Sequence, residues 1–220
     1  MRGKLKRFAY NEAADNVLQP GKPLFETIKG AWRSQVFGND KPLVVELACG
    51  RGEYTIGLAA LFPEKNFVGV DIKGDRLWKG SKTAYEKELT NVAFLRTFIH
   101  ALDKFFAADE IDELWLTFPD PRPKDRDERR RLTNNRFLDL YKPLLRPDGW
   151  LRLKTDSTSL FEYTLEVLAE RNDITDLTVT HDLYHSELNA EHYGIVTHYE
   201  KLFYEQGEKI KYLKFRFKEA

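Results

Sequence analysis

The chain has 220 residues, 42% of them hydrophobic and 13% aromatic, which is enough apolar mass for one good-sized core and excludes disorder over most of its length. Its 35 basic residues balance 35 acidic ones, so overall charge gives no sign of a nucleic-acid partner and only local clustering can. The single cysteine, Cys49, rules out an intramolecular disulfide, and the amino-terminal stretch MRGKLKRFAYNEAADNV has no apolar segment of the length a signal peptide or membrane span needs. A soluble, cytoplasmic protein with no membrane partner is expected.

Residues 1–40 mix Arg2, Lys4, Lys6 and Arg7 with Pro20, Gly21 and Pro23, and read as a basic arm with room for one short helix and no core pattern. The folded domain is expected over residues 41–220. There PLVVELAC is a β-branched apolar run closed by Gly50 and Gly52, and YTIGLAALF has helical spacing that stops at Pro63. The same unit recurs: NFVGVDI and NVAFLRTF read as strands, LWKGSKTAYEKEL and ALDKFFAA as helices, IDELWLTF as a fourth strand. Then NNRFLDLYKPLL is amphipathic, GWLRLKTD is a fifth strand and SLFEYTLEVLAER a further helix. Such alternation predicts a parallel sheet covered on both faces, wound by right-handed crossovers. At the carboxyl end THYEKLFYE and KIKYLKFRF, separated by Gln206 and Gly207, predict two antiparallel strands. The expected fold is therefore α/β and Rossmann-like, of the class I methyltransferase type, with a mainly parallel seven-stranded sheet ending in an antiparallel hairpin.

Glu46 to Gly52 reads ELACGRG, between the first strand and the first helix. Glycines at such a turn let the backbone pass close to a ligand, and the helix start offers free NH groups. The dinucleotide fingerprint is absent, and an acidic residue opening the loop with Gly50 and Gly52 closing it suits S-adenosylmethionine better. Asp71 ends the second strand about 20 residues past the glycine loop, where a carboxylate accepts from both ribose hydroxyls. Glu46 is expected to bind the methionine amino group, directly or through water. The competing reading is a simple tight turn with Asp71 as a helix cap; Cys49 reads as a small filler in the loop.

In an open α/β sheet ligands sit outside the carboxyl ends of the strands, near the point where strand order reverses. The fourth strand ends at Thr117 and Phe118, so Asp120 lands beside the methyl donor, with Pro119 and Pro121 restricting the backbone around it. A proline-rich turn with a solvated Asp is the alternative. From Arg122 to Arg136, seven basic residues face three acidic ones. That run is either a solvated, partly self-paired face or, with the basic arm, a phosphate-holding surface of salt-dependent affinity. The five histidines lack metal-ligand spacing, and no metal is expected.

The chain resembles the bacterial tRNA (guanine-N7)-methyltransferases. The resemblance rests on ELACGRG, VGVDI, FPDPRPKDRDERRRLT, LKTDSTSLFEYT and THYEKLF, in that order from residue 46 to about 204. It implies transfer of a methyl group from S-adenosylmethionine to N7 of a variable-loop guanine in tRNA, by a monomer or homodimer with no obligate protein partner. It implies that Glu46 and Asp71 bind the donor and that Asp120 belongs to both cofactor site and active site. It further implies that Lys124 and Asp156 contact the RNA, and that Thr197, His198, Tyr199 and Glu200 form another substrate-binding stretch. Three positions depart from the family pattern: Arg122 stands where a Trp is usual, Asp127 where a His is common, and Phe98 where an acidic residue reaches the adenine. Competing classes are an exocyclic-amino methyltransferase, a non-catalytic RNA-binding module on the same scaffold, and a nicotinamide dehydrogenase. The loop pattern and the intact Glu46, Gly50, Asp71 and Asp120 weigh against the last two.

Overall fold

A computed structural model describes residues 2–218. In chain order the main elements are α1 (Arg2–Ala13), β1 (Val17–Leu18), β2 (Leu43–Leu47), α2 (Glu53–Leu61), β3 (Asn66–Val70), α3 (Gly74–Glu86) and β4 (Val92–Leu95). They continue with β5 (Ile111–Thr117), α4 (Asn135–Tyr141), β6 (Leu145–Thr155), α5 (Thr158–Ala169), β7 (Ile174–Thr180), α6 (His198–Glu205) and β8 (Lys211–Phe217). The sheet has eight strands in the order β1-β4-β3-β2-β5-β6-β8-β7. β1 through β6 pair in parallel, and β8 runs antiparallel to both its neighbours, β6 and β7.

Three expectations change. The stretch THYEKLFYE is not a strand: from His198 it is the helix α6, because Thr197 and Glu200 form a reciprocal capping box that starts a helix there. The antiparallel partner of β8 is instead β7, which the sequence pattern does not announce, and the two are joined by a long connection rather than a hairpin turn. The eighth strand is β1, from the arm. Residues 1–40 are no bare appendage: Val17 and Leu18 add to the sheet edge, and Ile28 and Trp32 are buried in the main core. The Trp32 ring stacks on Phe106 with centroids 5.3 Å apart, and its indole NH donates to the Phe105 carbonyl at 2.8 Å.

The two faces of the sheet are unlike. One carries Val45, Leu47, Leu114, Leu116, Leu151, Leu153, Leu213 and Phe215, an unbroken apolar layer. Strand side chains alternate in direction, so the residues between these point to the other face, which packs on α2 and α3. There Val44, Phe67, Trp115 and Tyr212 are interrupted by buried Glu46, Glu113, Thr117, Arg152 and Lys154. A parallel sheet covered on both sides ordinarily buries apolar residues on each; this polar stripe marks where the structure does something besides pack. Among the described residues no helix is long and apolar enough to cross a membrane.

Trp32→Ala removes a fully buried, hydrogen-bonded ring, and should lower the unfolding free energy by about 3–5 kcal/mol. Urea unfolding checks this; a loss under about 1 kcal/mol would mean that the arm does not belong to the core.

Candidate functional site

β2, β3 and β4 follow one another outward, after which the chain returns to place β5 on the other side of β2. The reversal of strand order therefore falls between β2 and β5, and a cavity opens there at the carboxyl ends. It is lined by Glu46, Ala48 and Gly50 of the loop after β2, Tyr54 of α2, Thr117 and Phe118 at the end of β5, and Thr197, His198 and Tyr199 at the start of α6. Ala48 and Phe118 take left-handed backbone angles, φ 56° and 47°. Each costs a non-glycine residue about 1–2 kcal/mol, so the packing around both ends holds these loops in place against that cost.

Glu46 is almost fully buried. Its carboxylate accepts from the Thr55 backbone NH at 2.8 Å and from the hydroxyls of Thr55 and Thr117, which ties β2 to both α2 and β5. Burial pushes its carboxyl up to about 7, with the threonine hydrogen bonds pulling the other way. Asp71 ends β3 as expected. One of its oxygens accepts from the Gly50 NH at 3.0 Å and the other from the Lys73 NH at 2.8 Å, so this carboxylate fixes the glycine loop.

The two loop glycines do different work. At Gly50, φ 57°, no atom stands within 4 Å of where a Cβ would be, which leaves the backbone open to a ligand. At Gly52, φ 69°, a Cβ would stand 2.6 Å from the Phe94 ring, so that glycine serves packing. The Tyr54 hydroxyl is buried beside Glu46 with no hydrogen-bond partner in the described structure. A buried carboxylate, an orphaned hydroxyl and an open glycine backbone, with a strand-end aspartate beside them, together fit S-adenosylmethionine.

Lys154, on β6, and Glu200, on α6, are both fully buried and meet at 2.6 Å. Glu200 also accepts from the Tyr184 hydroxyl at 2.5 Å and from the Thr197 NH at 3.2 Å, while Glu53 of α2 accepts from the His198 NH at 2.7 Å. Of the four residues from Thr197 to Glu200, three face the cavity and Glu200 lies behind it, holding the helix they start. Asp120 and Lys124 are solvent-exposed and do not line the cavity; the Asp120 carboxylate pairs with the Arg122 guanidinium at 3.1 Å and accepts from the Arg122 NH at 3.2 Å. Asp156 is half-buried, and burial raises its carboxyl above the usual range. Phe98 is exposed and stacks on His100, 5.2 Å between centroids.

A family profile described as "Putative methyltransferase" matches residues 40–213. The chain is 50% identical to the tRNA (guanine-N(7)-)-methyltransferase of Cytophaga hutchinsonii over 98% of each chain. It belongs to the tRNA (guanine-N(7)-)-methyltransferase family. The relative from Bacteroides thetaiotaomicron bearing the same name is 44% identical over 98% of this chain and 86% of its own. Among solved structures the 16S rRNA methyltransferase KamB matches with a TM-score of 0.64 at 15% identity, covering 93% of this chain and 99% of its own. TrmN from Thermus thermophilus matches with a TM-score of 0.56 at 16% identity, covering 97% of this chain and 48% of its own. At such identities the likeness shows the shared fold, that of class I methyltransferases.

Thr55, Thr117, Glu53 and Lys154 hold the residues that line the cavity or the helix that covers it, and no motif in the sequence marks them. Thr55 and Thr117 had a local signal, since both sit at the ends of elements that flank Glu46. Glu53 and Lys154 had none: their partners lie 145 residues away in the chain for Glu53, and on a stretch read as a strand for Lys154.

Because the folded Glu46 carboxyl keeps its proton to higher pH than the unfolded one, its contribution to stability is complete below pH 4.5 and is lost as the pH rises through about 7. The stability of the wild type relative to Glu46→Gln should therefore fall across that window and level off above it. Denaturant midpoints across the window check this; a constant difference would refute the raised value.

Proposed function

We propose that this chain transfers a methyl group from S-adenosylmethionine to N7 of a variable-loop guanine in tRNA, in the cytoplasm. One observation carries the reading: a chain so similar, end to end, to proteins of that name has Glu46 and Gly50 in the lining of one cavity at the reversal of strand order, with Asp71 holding the Gly50 NH beside it.

Glu46 receives the donor's amino group, Asp71 its ribose hydroxyls, and the Gly50 backbone lies against it. Bound there, S-adenosylmethionine supplies an electrophilic methyl group. Guanine N7 carries an exposed lone pair, so no side chain has to remove a proton to create the nucleophile. The residues instead hold the base in line and keep water out, positioning that contributes several orders of magnitude. Methylation leaves positive charge on the purine. A carboxylate at the rim, Asp120 or Asp156, offsets that charge and accepts from the base edge, which also selects against adenine. For Asp120 to face the base its pair with Arg122 has to open, and an RNA phosphate taking up that guanidinium would open it. His198 and Tyr199 present the helix side of the site, Lys124 meets the RNA outside it, and Thr197 and Glu200 act by holding the first turn of α6. The base has to leave its stack to enter.

The test is incubation of the purified chain with labelled S-adenosylmethionine and unmodified tRNA, followed by chain cleavage specific for N7-methylguanine. Label released at one variable-loop guanine is expected; no label in tRNA, or label on an amino group, would refute the reading. Asp71→Ala should weaken donor binding by about tenfold to a hundredfold through lost charged hydrogen bonds, and Asp120→Ala should abolish transfer while keeping its unfolding midpoint. Donor affinity of the wild type should tighten as the pH rises through about 7 and Glu46 loses its proton. Full transfer by Asp120→Ala would remove that residue from the mechanism.

A further inference from the structure

The arginine-rich segment after β5 is the obvious polyanion site in the sequence, yet part of its charge is spent internally. Arg122 pairs with Asp120 at 3.1 Å, Arg130 with Asp127 at 3.1 Å, and Arg131 lies over the Tyr163 ring at 4.3 Å. A second basic surface forms where α1, which carries the cations of the basic arm, docks on α3. Asn11 donates to the Gly74 carbonyl at 2.6 Å, and the approach is so close that a Cβ on Gly74 would stand 2.9 Å from the Phe8 ring. That docking carries Arg7 over the Trp78 ring at 5.0 Å, and Arg96 of the β4 end over the Phe8 ring at 5.0 Å.

The result is a groove lined by Arg7, Arg51, Arg76, Lys79, Trp78 and Tyr199, with Asp75 as its carboxylate. Among the described residues none of the four cations forms an ion pair; the pair on α3 is Lys82 with Glu86, at 3.2 Å. Gathering unpaired cations beside one another stores repulsion in a chain whose net charge is zero, and a polyanion relieves it. The groove is also continuous with the cavity: Gly50, Arg51, Arg76 and Tyr199 line both.

We propose that the α1–α3 groove seats the sugar-phosphate backbone of the tRNA, so that the RNA crosses the mouth of the cavity with Arg7, Arg51, Arg76 and Lys79 on one side and the arginine-rich segment on the other. This rests on the tRNA reading above and adds where the substrate lies. The arm's packing then has a function: α1 is rigidly docked so that its cations stand at a fixed distance from the methyl-transfer pocket.

The experiment measures binding of labelled, unmodified tRNA by the full chain over a salt series, together with steady-state methyl transfer. Arg7→Ala/Lys79→Ala is expected to bind about tenfold more weakly at low salt, with the slope of log K against log salt shallower by about 1.4–1.8, two lost phosphate contacts at about 0.7–0.9 each. KM for tRNA should rise in step, while donor affinity stays at the wild-type value. Arg7→Lys/Lys79→Arg, which keeps the charge, should restore binding. Lys41→Ala, at the opposite end of β2, should leave both affinity and slope unchanged. Wild-type affinity and slope in the Arg7→Ala/Lys79→Ala variant, or a loss no greater than that of Lys41→Ala, would overturn the proposal. The two readings fail separately: methylation of guanine N7 with the groove variants unaltered refutes the groove alone. Salt-dependent tRNA binding that the variants weaken, without methyl transfer by the wild type, refutes the activity alone.

Discussion

The geometry of the site depends on a lysine ammonium and a glutamate carboxylate that never meet water. Lys154 and Glu200 touch at 2.6 Å with no exposure on either side. Removing one partner of such a pair leaves an uncompensated buried charge, at a cost of about 3–5 kcal/mol. The surroundings accept the pair because its partners are supplied: the Ile195 carbonyl accepts a hydrogen bond from Lys154, and the Tyr54 and Phe118 rings lie 5.2 and 5.9 Å from its ammonium. α6 is eight residues long, too short to persist alone in water. It stands over the carboxyl ends of the sheet because Glu200 is anchored to β6 and, by the same carboxylate, caps the helix. Thr197, His198 and Tyr199 line the cavity as a consequence.

Local pattern and distant partner carry different parts of the structure. β2, β3, β5 and β6 are legible because each is an apolar run closed by glycine, proline or aspartate, and those closures also mark Glu46 and Asp71 as strand-end residues; β4 is legible from its apolar run alone. THYEKLFYE misleads because its aromatic residues are common in strands, while Tyr199, Leu202 and Phe203 stand at the i, i+3, i+4 spacing of a helix that the capping box at Thr197 and Glu200 starts. β7 is half-exposed, contains Asp176 at φ 54° and shifts register between Thr175 and Thr178, so it shows no clean alternation. The contribution of the first forty residues is hidden for another reason: Trp32 becomes a core residue only once Phe105 and Phe106 are brought to it.

The same division separates the parts of the site. A motif names residue types at a strand end, and from it the donor-binding face of the pocket can be read. It does not say which of those side chains face the ligand. Glu200 lies in the same short stretch as His198 and Tyr199, yet a carboxylate at that point of the helix turns inward to the cap and the lysine, while its neighbours turn to the cavity. Asp120 shows the converse: prolines do restrict the backbone beside it, but Arg122, standing where the family pattern has Trp, is close enough to engage its carboxylate.

Charge behaves likewise. A chain with 35 cations and 35 anions has no net field to attract RNA, so any attraction depends on where the anions are spent. On the polar face of the sheet they are buried against Arg152, Lys154 and Lys214, which removes carboxylates from the surface together with cations that would otherwise lie far from the site. In the arginine-rich segment Asp120 and Asp127 neutralise part of the run. Around the glycine loop the cations outnumber the carboxylates and stay unpaired. Sequence counts weigh all these residues equally; folding does not, and it leaves Arg7, Arg51, Arg76 and Lys79 without ion pairs, among the described residues, in the groove that opens into the pocket.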